Sequence, residues 1–382
     1  MAKTHSFQGG PASLSMVSEW RISKNDGLPR ISERAQTTLR SANWPIPASL
    51  DRLTFMSWLR AVIAPFVCIL SLTAQQSVGV APVPRAAVPA VLDLFEQYSI
   101  VALSEGPHNN QKGHDFRMAL VRDPRFAQLI NDIVVEAGNS RYQSVMDRFT
   151  AGEVVPYQEL RQVWQNTTMP GPIWDSPIYY EFFSAIRDVN RAVGSHIRVV
   201  LGDPPIDWGL VQNGDQIRAF YPQRDPHAAK VIVQEVVKKN HRALVVYGEG
   251  HLLTSGPLGA NTLLTILKRE SKARIFTISN GYPDLSRFQT DAPWPIPSLI
   301  MVKGTTVGIE PSAAGTPLEQ DFDAVLHLGG PPALSFTEVQ QGVCNDPEYL
   351  KMRFDRFALT ATADNPDPSA ELKRLCGMTG GR

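Results

Sequence analysis

Short apolar runs alternate with segments of helical period along most of the chain. Runs of four to six residues rich in Val, Ile, Leu and Ala are typical of buried strands, and they lie at 100–103, 133–136, 197–201, 243–247, 274–279, 298–302 and 324–328. Segments in which apolar residues recur three and four positions apart predict helices at 115–121, 140–150, 157–165, 179–193, 226–239, 259–269 and 347–359. The alternation predicts an α/β fold, with a mostly parallel or mixed central sheet, helices on both faces and a single main domain.

The first 90 residues do not share this pattern. Residues 1–55 are polar without sustained apolar periodicity, and we interpret them as a non-native or disordered N-terminal extension. Residues 56–74 have the layout of a signal peptide, with Met56, Arg60, an apolar run at 61–72 and a small residue before Gln75. An uncleaved anchor and a buried core helix are the alternatives. A signal peptide implies a periplasmic or secreted protein with no stable membrane span after its removal.

Three further segments complete the predicted organisation. Residues 75–90 form a Pro-rich linker, 91–335 the α/β domain, and 336–382 a C-terminal helix and tail. Lys+Arg and Asp+Glu both number 37, so no basic field indicates a nucleic-acid partner. Export would leave Cys344 and Cys376, which either pair as a disulfide or remain two unrelated thiols.

Two of the apolar runs end in a glutamate followed closely by a histidine. Glu105 and His108 lie in SIVALSEGPHNN, and Glu249 and His251 lie in HRALVVYGEGHLL. Ligands of open α/β sheets bind beyond the carboxyl ends of parallel strands. We therefore expect the two pairs to contribute to one pocket.

Four segments in order resemble the erythromycin esterase family and its wider superfamily, which includes Tiki metalloproteases and ChaN-like haem-binding proteins. The resemblance covers roughly 98–251 and is weaker in FDAVLHLGGP. It is carried by SEGPH (104–108), VVEAGN (134–139), QRDPHAAK (223–230) and VVYGEGHLL (245–253). It implies an esterase-like exported hydrolase.

The residues at the strand ends suggest a water-activating site. His108 is the candidate general base, oriented by Glu105 or Glu136, because a neutral histidine can take a proton from water. The alternative is a histidine that caps the following helix. Glu136 ends an apolar strand, where an ionised carboxylate is costly unless it is paired. It therefore indicates function, or else a structural ion pair with an arginine.

Two further residues are candidates for stabilising an oxyanion. Arg224 offers five fixed donors, although Asp225 could simply cap a helix while Arg224 is solvated. His251 could polarise the same oxygen, with Glu249 orienting it or serving as a second base. The alternative for His251 is a surface loop. We interpret His227 as a solvated residue of a first helical turn.

The segment VVLGDPPIDW follows another predicted strand and supplies candidate substrate-binding residues. Asp203, Asp207 and Trp208 would lie at the same edge of the sheet and shape the pocket. Since two prolines stiffen this loop, Asp203 could instead cap a turn.

The predicted cofactor depends on which mechanism the site uses. Glu105, His108, Glu136 and His251 could hold one divalent ion such as zinc or manganese, but His-Glu-x-x-His is absent. We therefore favour metal-independent hydrolysis of an ester, lactone or amide in a small-molecule or peptide substrate. The competing hypotheses are a ChaN-like periplasmic protein that binds haem or an iron carrier, and a catalytically inactive member of the fold.

Overall fold

The computed structural model describes residues 79–257, 259–281, 283–289, 292–312, 314–329 and 341–378. The chain divides into two units, 1–73 and 74–382, of which the second contains every described residue. The predicted extension at 1–55 and the signal-like segment at 56–74 lie outside the described residues. The second unit is an α/β domain built on one mixed sheet of eight strands.

The strands are β1 (Pro84–Ala86), β2 (Ile100–Ser104), β3 (Asp132–Asn139), β4 (Arg198–Asp203), β5 (Ala243–Tyr247), β6 (Ile275–Ser279), β7 (Ser298–Met301) and β8 (Ala324–His327). Their order is β1-β7-β8-β6-β2-β5-β3-β4. β7 pairs antiparallel with both β1 and β8, whereas the other neighbours are parallel. The carboxyl ends of β2, β5 and β3 therefore lie side by side at one edge.

The longer helices include α1 (Ala87–Leu94), α2 (Gln111–Arg122), α4 (Gln143–Thr150), α7 (Pro177–Val193), α9 (Arg224–Ile232), α10 (Leu263–Glu270) and α13 (Pro347–Thr360). The shorter ones are α3 (Phe126–Leu129), α5 (Tyr157–Leu160), α6 (Gln162–Gln165), α8 (Gly214–Arg218), α11 (Leu318–Asp321), α12 (Gln341–Cys344) and α14 (Ala370–Leu375). A π-helical turn at Val233–Val237 continues α9. Single 3₁₀ turns occupy Ser140–Tyr142, Pro172–Trp174, Trp208–Leu210, Tyr221–Gln223, Glu249–Leu252, Gly259–Asn261 and Ser286–Phe288.

Helices cover both faces of the sheet and bury two apolar layers. Val101 and Leu103 of β2 face one layer together with Phe116 of α2 and Phe182 of α7. Their neighbour Ala102 faces the other layer, with residues of α9 and α10. Alternate residues of a strand point to opposite faces, so a strand buried on both sides is apolar throughout. The predicted α/β class with helices on both faces is confirmed.

The predicted linker at 75–90 contains regular structure in its described part. Pro84–Ala86 form β1 at the edge of the sheet, where the missing N–H of a proline removes no essential ladder bond. Ala87–Leu94 form α1 and include Pro89 in the first turn, where helices tolerate proline. Proline content alone therefore gave the wrong local structure for these residues.

The C-terminal region packs as a small cluster of its own. Tyr349 and Phe357 of α13 meet Val343 and Leu372, and Cys344 forms a disulfide with Cys376 across 32 residues of sequence. Of the two alternatives for these cysteines, the structure has the disulfide. It fastens α14 to the start of the C-terminal region.

Reducing this disulfide is expected to lower the free energy of unfolding by about 2–4 kcal/mol, because the bond restricts the unfolded chain. Urea unfolding of the oxidised protein, with and without dithiothreitol, measures the change. The C344S/C376S variant should show the same loss without reductant. A loss below about 0.5 kcal/mol in both experiments would mean that the bond constrains little of the unfolded chain.

Among the helices of the described residues, we find none with the length and apolar character needed to cross a bilayer.

Candidate active site

The candidate site lies at the carboxyl ends of β2, β5 and β3. The turn after β2 carries Glu105 and His108, β3 carries Glu136, and the 3₁₀ turn after β5 carries His251. Because β5 lies between β2 and β3 in the sheet, the side chains from the outer strands reach the space above Gly248. The structure thus brings together four residues that the sequence predicts to share one pocket: Glu105, His108, Glu136 and His251.

The loop after β2 fixes the orientation of His108. Gly106 has φ of +73° and Asn109 has φ of +63°, so the loop contains two left-handed residues around the histidine. Asn110 then caps α2, its side chain accepting from the backbone N–H of Lys112. The His108 ring packs edge-on against Trp174, with 4.6 Å between ring centroids.

A carboxylate selects the tautomer of His108. The Nδ1 atom lies 2.8 Å from Oε2 of Glu105, so in the neutral ring the proton is assigned to Nδ1 and Nε2 keeps the lone pair. Burial alone would lower the pKa of His108. The hydrogen bond to Glu105 and the charges of Glu105 and Glu136 outweigh burial, and the pKa is raised above its ordinary value.

His251 lies between two carboxylates. Its Nδ1 is 2.5 Å from Oδ1 of Asp225, and its Nε2 is 3.3 Å from Oε1 of Glu136. Burial opposes the charged ring, but Glu136 and Asp225 raise the pKa of His251 to about 10. At neutral pH His251 is therefore an imidazolium that donates from both ring nitrogens.

Glu136 is held in its ionised form by the same contacts. Its Oε2 accepts from the backbone N–H of Gly248 at 2.8 Å. Burial would raise the pKa of Glu136, yet the positive charge and hydrogen bond of His251 hold it well below its usual range. Glu136 is thus a fixed negative charge beside His108 rather than a proton donor.

Gly248 keeps the space between these groups open. A Cβ atom at this position would lie 3.3 Å from Oε2 of Glu136 and 3.6 Å from Nε2 of His108. Glu136 and His108 therefore both lie close to the position of this Cβ atom, and a side chain at residue 248 would crowd them. A small molecule such as water could reach Nε2 of His108 from this space.

Two residues of the site were missed or given another role by the sequence. The buried Arg117 on α2 places Nη2 3.4 Å from Oε1 of Glu105, so a cation supports the carboxylate that orients His108. The available signal was a charged residue on the apolar face of a helix, between Phe116 and Leu120. Asp225, interpreted as a possible helix cap, pairs with His251 instead.

Neighbouring side chains anchor Arg224, which precedes Asp225 at the start of α9. Its Nε donates to Oγ1 of Thr168 at 2.7 Å, and the guanidinium lies 4.7 Å from the centroid of the Tyr221 ring. The Thr168 hydroxyl in turn donates to Oδ1 of Asp203 at 2.6 Å. Arg224 and Asp203 are thus joined through one hydroxyl, which restricts how far the guanidinium can move toward a substrate.

Burial gives Asp203 a pKa in the physiological range. Burial raises the pKa of this carboxyl to about 7, and the negative charge of Glu136 adds to the effect against the hydrogen bonds from Thr168 and the charge of Arg224. The sequence predicts Asp203 to be a substrate ligand or a turn cap. In the structure its two carboxyl oxygens accept from the backbone N–H and the hydroxyl of Thr168.

The other predicted residues contact groups other than His108. Glu249 accepts from the hydroxyls of Ser104 and Ser279 at 3.1 and 2.8 Å, and burial raises its pKa. Asp207 pairs with Arg141 at 2.9 Å. Trp208 donates to the carbonyl of Thr167 and lies beneath the guanidinium of Arg356.

The predicted metal ligands do not fit a metal ion in this arrangement. Within the part of the chain that the structure describes, there is no group of three or more His, Cys, Asp or Glu residues that could hold one. In this arrangement both ring nitrogens of His251 contact carboxylates, and Glu136 is already paired with it.

A small cavity of about 20 Å³ lies on the inner side of the site, which is room for about one water molecule. Its walls include Glu105, Arg117, Glu136, Tyr179 and Phe182. His108 is not among its walls, and the His108 side chain is 28% exposed, so we expect a substrate to approach His108 from solvent.

Among known proteins, this chain is similar only to solved structures. No family model matches the chain, and no curated protein matches it. ChaN of Campylobacter jejuni, solved with cofacial haem binding, is 16% identical over 63% of this chain and 91% of its own, with a TM-score of 0.37. An erythromycin esterase mutant in its open conformation is 14% identical over 65% and 95% of the two chains, with a TM-score of 0.44.

A protein from Bacillus cereus is also similar, at 12% identity over 65% of this chain and 94% of its own, with a TM-score of 0.42. At these values no residue role, ligand or activity passes from these structures to this chain.

Proposed function

We propose that this protein is a hydrolase in which His108 activates water against an ester, lactone or amide. The observation that carries the proposal is the 2.8 Å contact between Nδ1 of His108 and Glu105. It leaves Nε2 as the basic nitrogen, bordering the open space above Gly248. A positioned base of this kind typically contributes 10²–10⁴-fold to a rate.

In the proposed reaction, His108 accepts one proton and later donates it. Nε2 of His108 takes a proton from water as the oxygen attacks the carbonyl carbon. The resulting imidazolium is stabilised by Glu105 and Glu136, whose charges already raise its pKa. His108 then returns the proton to the departing alcohol or amine, so that the products are an acid and the leaving group.

His251 and Arg224 are the candidate positive groups for the oxyanion that forms during the reaction. His251 is charged at neutral pH, and Arg224 directly precedes Asp225, whose carboxylate contacts His251. Arg224 is the group that would donate to the developing oxyanion, whereas His251, whose two ring nitrogens already contact carboxylates, would act only through its charge. Asp225 and Glu136 hold the His251 ring in place, which avoids reorganisation during the reaction.

We also propose that the protein acts outside the cytoplasm on a small-molecule or peptide substrate. The Cys344–Cys376 disulfide supports export, because such bonds persist in oxidising compartments. The competing prediction of haem binding is tested by titrating the protein with haemin. A saturable Soret shift at one equivalent, together with no hydrolysis, would favour the carrier function.

The pH profile tests the proposed base. kcat/KM is expected to rise with pH through a value above 6.5, where His108 loses its proton, and to fall near pH 10, where His251 loses its charge. Initial rates for dihydrocoumarin and p-nitrophenyl acetate between pH 5 and 11 give the profile.

The Glu136→Gln variant should shift both limbs of this profile to lower pH. It removes a negative charge that raises the pKa of His108, so the acid limb should move to lower pH. It also removes a partner that raises the pKa of His251, so the alkaline limb should move down as well. A flat profile, or limbs that stay in place in this variant, would contradict the assignment of His108.

A further inference from the structure

Ser140 and His227 form a hydrogen-bonded pair that the proposed mechanism does not use. Oγ of Ser140 lies 3.0 Å from Nε2 of His227. A hydroxyl at this distance from an imidazole nitrogen has the geometry of an activated nucleophile and its base. Both side chains are only partly buried, so a substrate can reach them.

The pair lies at the same edge of the sheet as the first site. Ser140 directly follows β3, which ends at Asn139, and His227 lies in the first turn of α9. The side chain of Asn139 accepts from the N–H of Arg141 and donates to two backbone carbonyls. The backbone around Ser140 is therefore fixed, as a nucleophile requires.

His227 also has the protonation state of a base. Burial, together with the charge of Lys230, lowers its pKa, so the ring is neutral at physiological pH. Arg224 lies three residues earlier on the same face of the helix and provides positive charge nearby. Within the described residues no carboxylate is hydrogen-bonded to Nδ1 of His227, so the arrangement is a dyad without the third member of a triad.

We infer that Ser140 and His227 form a second nucleophilic centre, which accepts acyl groups from esters independently of His108. Ser140 Oγ attacks the carbonyl carbon while its proton passes to Nε2 of His227. The bond to the leaving alcohol breaks, and the alcohol takes that proton. Water then adds to the acyl-serine, and Oγ leaves with a proton, which yields the free acid and restores the pair.

An alkyl fluorophosphonate, which phosphonylates activated serines, tests this inference. Tryptic peptide 126–141 contains Ser140 as its one hydroxyl-bearing residue, so its mass shift identifies the labelled atom. We expect labelling of the wild type, loss of the label in Ser140→Ala, and a rate about 100-fold lower in His227→Gln. Ser271→Ala is the control, since Ser271 donates to the Leu267 carbonyl rather than to an imidazole, and it should label as the wild type does.

Two results would overturn the inference: no label on Ser140 in the folded wild type, or equal labelling rates in wild type and His227→Gln. Thermal unfolding of each variant checks that it is folded. His108→Gln separates the two proposals, because it should leave the labelling of Ser140 unchanged and remove the steady-state hydrolysis that remains in Ser140→Ala. If Ser140 is not labelled and hydrolysis depends on His108, only the second centre is ruled out. If Ser140 is labelled and the hydrolysis measured in Ser140→Ala does not need His108, only the first centre is ruled out.

Discussion

Replacing Arg353 with methionine is expected to lower the free energy of unfolding by about 3–5 kcal/mol. Arg353 Nη2 lies 2.7 Å from Oδ2 of Asp175, and their side chains are 0% and 1% exposed. Methionine would leave the Asp175 carboxylate buried without its cation, although the hydroxyl of Tyr349 would still donate to it. The loss is large because an ionised group would remain in the interior without compensating charge.

Urea unfolding measures this change against a control on the same helix. Lys351→Met removes an exposed pair with Asp355, and surface pairs of this spacing contribute only about 0.3–0.5 kcal/mol. Adding Asp175→Asn to Arg353→Met should recover part of the loss, since it removes the uncompensated charge. If Arg353→Met and Lys351→Met differ by less than about 1 kcal/mol, the buried pair is not what holds α13 in place.

The same contacts connect the C-terminal region to the candidate site. Arg353 also donates to the carbonyls of Gln165 and Pro170, which lie in the segment that leads to Trp174. Trp174 packs against the ring of His108, and Thr168 in this segment holds Arg224. The C-terminal helix therefore stabilises the wall of the site as well as the fold.

The sequence predicts the strands and their functional ends because both depend on local patterns. The run 100–103 is continuously apolar, and the structure has a strand buried on both faces at Ile100–Ser104. Parallel strands share a carboxyl edge, so Glu105, His108 and Glu136 could be placed together from the order of elements alone.

The partners of these residues could not be predicted in the same way. Asp225 at a helix start is as typical of a cap as of a functional carboxylate, and only the tertiary structure brings His251 to it. Glu249 lies two residues from His251, yet both are in a 3₁₀ turn of about 3 residues per turn, so their side chains diverge by about 120°. Sequence proximity therefore indicated the wrong contact for Glu249.

Replacing His108 with glutamine is expected to reduce kcat/KM for a lactone or alkyl ester by about 10²–10⁴-fold. Glutamine can still hydrogen-bond to Glu105 but cannot take a proton from water, so the loss measures the base itself. Stability should change little, because the His108 side chain is 28% exposed. His196→Gln, at an exposed histidine, is the matched control and should keep the activity of the wild type.

A chemical rescue distinguishes catalysis by His108 from a purely structural role. In His108→Ala, the space left beside Trp174 and Gly248 could admit free imidazole, which would restore a base near the attacking water. We expect activity to rise with imidazole concentration in this variant and to stay constant in the wild type. A structural role would give no such rescue, because imidazole cannot replace the backbone connection through which His108 holds its loop. If His108→Gln retained activity within about threefold of the wild type, general-base catalysis by His108 would be wrong, since such a base contributes at least about 10²-fold.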